Sequence, residues 1–291
     1  MKFYIVDCFA EEKYQGNQLL ILLADQTIID WEQQQITREV NFSETAFILS
    51  GKQADGGYPV RIWTPNAGEV PFAGHPTLGC AYVIQPLIEQ GYPDEVKLNL
   101  KVDQITVSRS VHGMVMRQKP PVFGVKIKRE EIAAISGISL GEIREDYPIQ
   151  LVSTGLESVL IPLKSRESLS KLQVIPPKFQ EYTARHPECN CNHFFFTDMG
   201  DHIFSVRCIM EDFIEDAATG SANGNLAGYL LSYGYFGSSP ISYTIHQGEI
   251  WEESLFFISM PTWNPTIGSL RLAETVILLQ RGIGVKPIPF Y

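Results

Sequence analysis

The chain has 291 residues, of which 44% are hydrophobic and 11% aromatic, and its 33 acidic side chains outnumber the 23 basic ones. This composition excludes a disordered protein, and the length is one at which a single hydrophobic core commonly divides into two domains. A net charge of −10 provides no basic surface, so we expect no nucleic-acid partner.

The sequence predicts neither a membrane span nor secretion. The apolar run near the start, Leu19–Ala24, is far shorter than the ~20 residues that a spanning helix needs. Asp7 interrupts the apolar start of the chain before it reaches the length of a signal-peptide core. The 5 cysteines are too sparse for a disulfide framework, and their number is odd. We therefore expect a cytoplasmic protein without a membrane partner.

Short apolar runs of strand length dominate the first part of the chain. The predicted strands are Phe3–Val6, Leu19–Leu23, Thr45–Leu49, Val60–Trp63, Val96–Leu100, Ile105–Val107 and Met114–Met116. Lys119-Pro120-Pro121 then interrupts the pattern. Because adjacent prolines continue neither a strand nor a helix interior, we expect a linker there.

The second part of the chain has the same β-rich character after a short predicted helix near Glu130–Ser136. Its predicted strands are Ile149–Ser153, Val159–Leu163, Phe194–Phe196, Ile203–Cys208, Ile241–Ile245, Leu255–Ser259 and Thr275–Leu279. Two helices break the β pattern, one entered at Gly74 with Pro76 in its first turn and one entered at Gly220. Both are apolar all round, which predicts helices buried within a sheet.

The two helices belong to an internal repeat. A shift of 146 positions places five residues on identical ones: Val60 and Arg61 on Val206 and Arg207, Glu69 on Glu215, Gly74 on Gly220, and Ala81 on Ala227. Coincidence is the alternative, but the order of strand, loop and helix also matches. We predict two similar lobes, 1–118 and 119–291, with the final strand as a candidate to return to the first lobe.

The starts of these two helices are the first candidate site. A helix N-terminus has free N–H groups and a partial positive charge, which suit a carboxylate or a developing enolate. If the lobes are related by a pseudo-two-fold axis, the two starts face each other across a cleft. Gly74 and Gly220 let the backbone approach a ligand closely, and His75 and Asp216 are the titratable groups of the two turns.

Glu44 is the second candidate, because it enters the apolar strand Ala46–Leu49. Partial desolvation of a carboxylate raises its pKa toward the range useful for acid–base catalysis. Each candidate also has a purely structural reading. Glu44 could belong to a turn, His75 could cap its helix, and Asp216 could cap the helix that follows it.

Six runs between residues 6 and 248 combine into a recognisable series. They are Val6–Phe9 with Gly16-Asn17, Asn41–Phe47, Arg61–Pro65, Glu69–Gly79, Glu215–Ala222 and Gln247-Gly248. In this order they resemble the motifs of the PhzF-like (phenazine biosynthesis) family. The run Glu-Val-Pro-Phe-Ala-Gly-His-Pro-Thr at 69–77 is long and specific.

The resemblance implies an α+β fold of the diaminopimelate-epimerase-like type, with two pseudo-symmetric lobes, each a curled, mostly antiparallel sheet around a central helix. It also implies a cofactor-independent isomerase that acts as a homodimer on a small, carboxylate-bearing substrate, such as a dihydro-hydroxyanthranilate.

By position, the resemblance implies that Glu44 transfers the proton and that His75 and Asp216 assist. Asn17 and Gly74 would contact the substrate, and Ser221 at the Gly220 turn would hold its carboxylate. Related epimerases and racemases have a cysteine at each helix start, and this chain has His75 and Ser221 there, which disfavours a two-thiol mechanism.

Two features leave alternatives open. After Gln247-Gly248 the family commonly has Gly-Arg-Pro-Ser, whereas this chain has Glu252-Glu253, which keeps a non-catalytic binding or regulatory protein as the alternative function. The run His186–His193 contains four potential zinc ligands, which would make a zinc-dependent enzyme. Since only one residue separates its cysteines and all ligands would come from one short loop, we favour a polar loop and expect no metal.

Overall fold

The fold comes from a computed structural model, which describes residues 1–10, 14–110, 113–237 and 243–248, and the backbone of 263–264 and 269–276. The described residues form two compact units. The first comprises Met1–Arg117 and 273–276, and the second comprises the described part of 118–272. No helix among these residues is long and apolar enough to cross a membrane.

Unit 1 consists of strands and two long helices. Its strands are β1 (Lys2–Cys8), β2 (Asn17–Leu23), β3 (Glu44–Ile48), β4 (Gly57–Thr64), β5 (Gly68–Val70), β6 (Glu95–Asn99), β7 (Gln104–Ser110) and β8 (Gly113–Gln118, whose last residue begins unit 2). Its helices are α1 (Asp30–Val40) and α2 (Gly74–Leu87). The sheet order is β1-β2-β3-β4-β6-β7-β8, and β5 pairs with β4.

Helices cover both faces of this sheet. Because side chains alternate along a strand, β2 and β3 can bury one set of side chains under each helix. On one face, α2 packs on β1, β2 and β3 and has eleven of its 14 residues buried. On the other face, α1 contributes Ile36 and Val40 to a cluster around Phe47 and Trp63.

Unit 2 has the same two-faced construction. Its strands are β9 (Val122–Ile127), β10 (Ile149–Ser153), β11 (Glu157–Pro162), β12 (Asn192–Asp198), β13 (Ile203–Ile209), β14 (Glu215–Asp216) and β15 (Thr244–Gln247). Its helices are α3 (Arg129–Ser136), α4 (Arg166–Ser170), α5 (Pro176–Arg185) and α6 (Gly220–Ser232). One core lies under α6, and a second core lies under α3, α4 and α5.

The strand pairings of the two units follow one pattern. In unit 1, the pairs β1–β2, β3–β4 and β4–β5 are antiparallel, whereas β2–β3 and β4–β6 are parallel. In unit 2, β10–β11, β12–β13 and β13–β14 are antiparallel, whereas β11–β12 and β13–β15 are parallel. The prediction of two similar lobes, with α2 and α6 as the equivalent buried helices, is therefore confirmed.

Some expectations differ from the structure in detail. The helices α1, α4 and α5 were not predicted, because polar residues are frequent in them and their apolar residues are few. The expected linker packs closely, since a side chain on Gly228 of α6 would meet Pro121 Cβ at 2.6 Å.

Two predicted strands fall at the end of the chain. Leu255–Ser259 lies outside the described residues, as does 277–279 of the predicted strand Thr275–Leu279. The described strand there is β17 (Ser269–Val276), which lies beside β8 and pairs antiparallel with β16 (Trp263–Asn264).

Candidate active site

Glu44 begins β3 beside the buried strand β2. The parallel register places it opposite Leu19, which is fully buried. Phe47 points to the α1 side of the sheet. Glu44 shares the opposite face with Ala46 and Ile48, so its side chain lies on the α2 face. The carboxylate is largely buried, with 18% of the side chain exposed.

His75 is the second residue of α2 and lies against Glu44. His75 Nε2 is 3.4 Å from Glu44 Oε2, and the imidazole is buried. Burial lowers the pKa of His75 to about 3, so its ring is neutral near pH 7. A neutral imidazole has one N–H donor and one nitrogen acceptor, so it can either donate to the Glu44 carboxylate or accept from the protonated acid.

Residues at the end of β1 and directly after it enclose this pair. The ring of Phe9 meets the ring of His75 edge to face at a centroid distance of 6.4 Å. Cys8 donates its thiol hydrogen to the backbone oxygen of His75 at 3.6 Å. Phe9 is buried although its φ is +60°, a conformation that non-glycine residues seldom adopt, and it helps to keep water from the imidazole.

The start of α2 brings backbone N–H groups close to His75. Gly74 is the first helical residue, and the N-cap residue is Ala73, which has no side-chain acceptor. Thr77 donates its hydroxyl to the backbone oxygen of Ala73 at 2.7 Å. Asn17 is buried at the start of β2, two residues before the Leu19 that lies opposite Glu44. Unit 1 thus brings Glu44 and His75 together beside this helix start.

Asp216 lies at the end of β14 in a hydrogen-bonded turn before α6. The hydroxyl of Thr219 donates to Asp216 Oδ2 at 2.6 Å. The side-chain amide of Gln247, on β15, donates to Asp216 O at 2.8 Å and to Thr219 Oγ1 at 2.9 Å. Its oxygen accepts from the backbone N–H of Thr219 at 3.1 Å. Gln247 was predicted only as the start of a motif, and no sequence pattern indicated this contact.

Gly220 and Ser221 form the first turn of α6 directly after Thr219. Ser221 is 9% exposed, and Asn223 in the same turn donates to the backbone oxygen of Thr219 at 2.8 Å. Thr219 occupies the N-cap position, but its hydroxyl bonds to Asp216 rather than to the helix. Asp216, Gly220 and Ser221 therefore belong to one turn of unit 2.

An arginine–glutamate pair supports the same turn in each unit. Arg61 binds both carboxylate oxygens of Glu69 at 2.9 Å, and Arg207 binds those of Glu215 at 2.8 and 2.6 Å. These residues are identical in the internal repeat, so the repeat was the signal that could have predicted the pairing. Bidentate pairs of this kind fix geometry as well as charge.

The run His186–His193 has its side chains engaged separately. His186 Nε2 lies 3.1 Å from Glu131 Oε1, and His193 Nδ1 lies 3.0 Å from Cys191 O. Among the described residues, no group of three or more histidine, cysteine, aspartate or glutamate side chains could hold a metal ion. Glu252 and Glu253 lie outside the described residues.

Comparisons with known proteins give a consistent assignment. The model of the family "Phenazine biosynthesis-like protein" matches residues 6–254. An uncharacterised isomerase of Clostridium acetobutylicum is 32% identical over 84% of this chain and 85% of its own. The trans-2,3-dihydro-3-hydroxyanthranilate isomerase of Pseudomonas chlororaphis is 29% identical over 88% of each chain.

The fold agrees with these relatives. A crystal structure of a PhzF-family phenazine biosynthesis protein from Bacillus anthracis superposes with a TM-score of 0.79. It covers 94% of this chain and 95% of its own at 22% identity, and so it shows the shared fold. The predicted fold class and the predicted enzyme class, an isomerase, are confirmed.

Proposed function

Because the chain belongs to the phenazine biosynthesis-like family, we propose that it isomerises a small, carboxylate-bearing substrate by proton transfer through Glu44. The observation that carries the proposal is the buried contact between Glu44 Oε2 and His75 Nε2, 3.4 Å apart. A carboxylate that shares a desolvated place with a neutral imidazole is suited to take up and return one proton.

The proposed step is redox-neutral. The Glu44 carboxylate removes a proton from a carbon of the substrate, and the electron pair of the C–H bond forms a new double bond to the adjoining carbon, which displaces the electrons of the existing double bond. The protonated Glu44 then returns a proton to the carbon at the other end of the displaced electrons. The substrate changes only the position of a hydrogen and a double bond, and the enzyme returns to its starting state.

His75 assists as a neutral group in this proposal. Burial lowers its pKa to about 3, so it does not compete with Glu44 for the proton of the substrate near pH 7. With its hydrogen on Nε2, the ring can donate to one oxygen of the carboxylate throughout the transfer, while the other oxygen takes up and returns the proton. The enclosing ring of Phe9 supports this role because exclusion of water strengthens the interaction.

The remaining predicted residues are proposed to bind the substrate. The start of α6 has backbone donors and a partial positive charge that suit a carboxylate, and Ser221 adds a hydroxyl. Asp216, held by Thr219, is suited to a cationic or hydroxyl group of the ligand. Gly74 precedes His75 in the chain and Asn17 begins the strand beside Glu44, and both are proposed to contact the substrate.

The proposal is tested by following substrates in D2O by NMR. The first compound is trans-2,3-dihydro-3-hydroxyanthranilate, the substrate in the name of the Pseudomonas relative, followed by a panel of cyclic and aromatic carboxylates. Formation of an isomer supports the proposal. A compound that binds tightly, with neither an isomer nor deuterium incorporation, would contradict turnover and favour a non-catalytic binding protein.

The homodimer and the cytoplasmic location stay predictions. Light scattering of the purified chain distinguishes a monomer of 32.7 kDa from a dimer. Fractionation of the source cells tests the location.

A further inference from the structure

Gln247, Thr219 and Asp216 form a chain of hydrogen bonds, here called the relay, in which Gln247 donates to Thr219 and Thr219 donates to Asp216. Because the amide nitrogen of Gln247 donates to Thr219 Oγ1, the hydroxyl hydrogen of Thr219 is free to point at Asp216 Oδ2. The oxygen of the same amide accepts from the N–H of Thr219, which fixes the orientation of the amide. Gln247 and Thr219 are 1% and 6% exposed, so water does not compete for these bonds.

In unit 1 the three equivalent positions hold apolar residues. Val70 lies opposite Ile62 in the β4–β5 pair, as Asp216 lies opposite Cys208 in the β13–β14 pair. The shift of 146 positions places Ala73 on Thr219. In the parallel pair that follows, Leu98 lies opposite Tyr58 as Ile245 lies opposite Phe204, so Leu100 occupies the place of Gln247.

The apolar version shows that the fold does not require the polar one. Val70, Ala73 and Leu100 build the strand, turn and helix start of unit 1 with no side-chain hydrogen bond of this type available. Burying an amide and a hydroxyl costs free energy unless their bonds are made. The fold alone therefore does not account for the polar residues of unit 2, whose hydrogen bonds end, through the Thr219 hydroxyl, at the carboxylate of Asp216.

We propose that Gln247 is a positioning residue, which acts through the hydroxyl of Thr219 to hold the Asp216 carboxylate in one orientation and in its charged form. The inference rests on the proposed function, in which Asp216 binds the ligand, and it adds a residue that does not itself touch the substrate. A hydrogen bond donated to a carboxylate stabilises the charged form.

The titration of Asp216 is a readout that needs no substrate. The carboxyl carbon is followed by 13C NMR across pH with 13C-labelled aspartate, and Asp216→Asn assigns its signal. Three other titratable groups, on β13, β14 and β15, bear on this titration. Cys208 faces Asp216 from β13, where burial raises the pKa of the thiol well above its usual range. Glu215 on β14 is paired with Arg207, and His246 on β15 projects from the opposite face to Gln247.

The expected shift follows from the loss of one hydrogen bond. In Thr219→Val and in Gln247→Leu, the midpoint of the Asp216 titration rises by about one pH unit. Thr219→Ser keeps the hydroxyl and leaves the midpoint near that of the wild type. Once a substrate that the enzyme converts has been identified, we expect Thr219→Val to lower its kcat/KM roughly tenfold and Thr219→Ser to keep it near that of the wild type.

Thr197→Val is the matched control. Thr197 is a buried threonine of β12, whose hydroxyl has no hydrogen-bond partner among the described residues. Phe194 on the same strand lies opposite Cys208. Thr197 is three residues, or about 10 Å, further along the strand from Phe194. The same substitution there leaves the Asp216 titration unchanged.

The inference is overturned if Thr219→Val and Gln247→Leu fold but leave the midpoint of Asp216 where it is in the wild type. Should neither variant fold, the wild type still gives an answer. A hydroxyl proton of Thr219 that exchanges slowly with solvent is expected, and its absence from the NMR spectrum would contradict the relay. Failure to find any substrate would count against the proposed function and not against this result.

Discussion

The two units use one scaffold for two kinds of turn. In unit 1 the pair Arg61–Glu69 is partly exposed, with 24% of the arginine side chain accessible, and Asp30 and Lys101 join it. In unit 2 the arginine of Arg207–Glu215 is only 8% exposed. The comparison shows that the ion pair belongs to the common scaffold, whereas its surroundings, like the chemistry of each turn, differ between the units.

The largest expected effect comes from breaking the buried pair. Arg207 also donates to the backbone oxygens of Leu169 and Leu172, so Arg207→Ala removes the bidentate partner of the Glu215 carboxylate and two further buried hydrogen bonds. We expect a loss of about 3–5 kcal/mol in the free energy of unfolding. Arg61→Ala, at the exposed counterpart, costs about 1 kcal/mol or less.

Urea unfolding of both variants measures this difference. Equal losses at the two sites would contradict the view that burial, rather than the pair itself, determines the energetic contribution.

The second effect concerns one buried histidine in each unit. Burial lowers the pKa of His75 to about 3 and that of His193 to about 4. The unfolded chain takes up these protons near pH 6.5, whereas the folded chain does not, so stability falls as the pH drops from about 7 towards 4. Each histidine lowers the free energy of unfolding by about 2 kcal/mol as the pH falls from 7.5 to 5.

His193→Phe tests this account, because it keeps a ring among Phe179 and Tyr182 and removes the titration. Unfolding at the two pH values should show a smaller pH dependence in the variant than in the wild type. An unchanged dependence would mean that the buried imidazole does not stay neutral in the folded state.

The smallest expected effect compares the glycines at which the two buried helices touch their surroundings. A Cβ on Gly228 would meet the rigid ring of Pro121 at 2.6 Å, whereas a Cβ on Gly79 would meet the rotatable end of Leu19 at the same distance. Alanine favours a helix over glycine by about 1 kcal/mol. We expect Gly228→Ala to destabilise by about 1–2 kcal/mol and Gly79→Ala to be close to neutral, as measured by thermal unfolding.

A reversed order would show that the β2 side of α2 is the less adaptable contact. Both variants should keep their helix content by circular dichroism.

The sequence predicted the helix starts at Gly74 and Gly220 because a glycine followed by an apolar run is a strong local signal. It did not predict α1, in which buried Gln33 and Thr37 replace the apolar residues that a helical pattern needs. It indicated Glu44, His75 and Asp216 as separate candidate site residues, without showing which of them are in contact. The contact between Glu44 and His75 depends on the parallel β2–β3 register and on the packing of α2, which no local pattern contains.

The relay at Asp216 was beyond prediction for the same reason. Thr219 and Gln247 are 28 positions apart and meet only because β15 runs parallel to β13. By contrast, the two arginine–glutamate pairs could have been predicted from the internal repeat, since identical residues at identical places in two copies of a fold make the same contact.

The central claim is that Glu44 moves the proton, and its most direct test is the rate of isomer formation in Glu44→Gln. The amide keeps the shape of the side chain and cannot act as a base, so the rate should fall by about 10³-fold or more while the unfolding transition stays close to that of the wild type. Glu39→Gln, on the exposed face of α1, is the matched control and should leave the rate unchanged. A folded Glu44→Gln variant that retains a rate within tenfold of the wild type would contradict the claim.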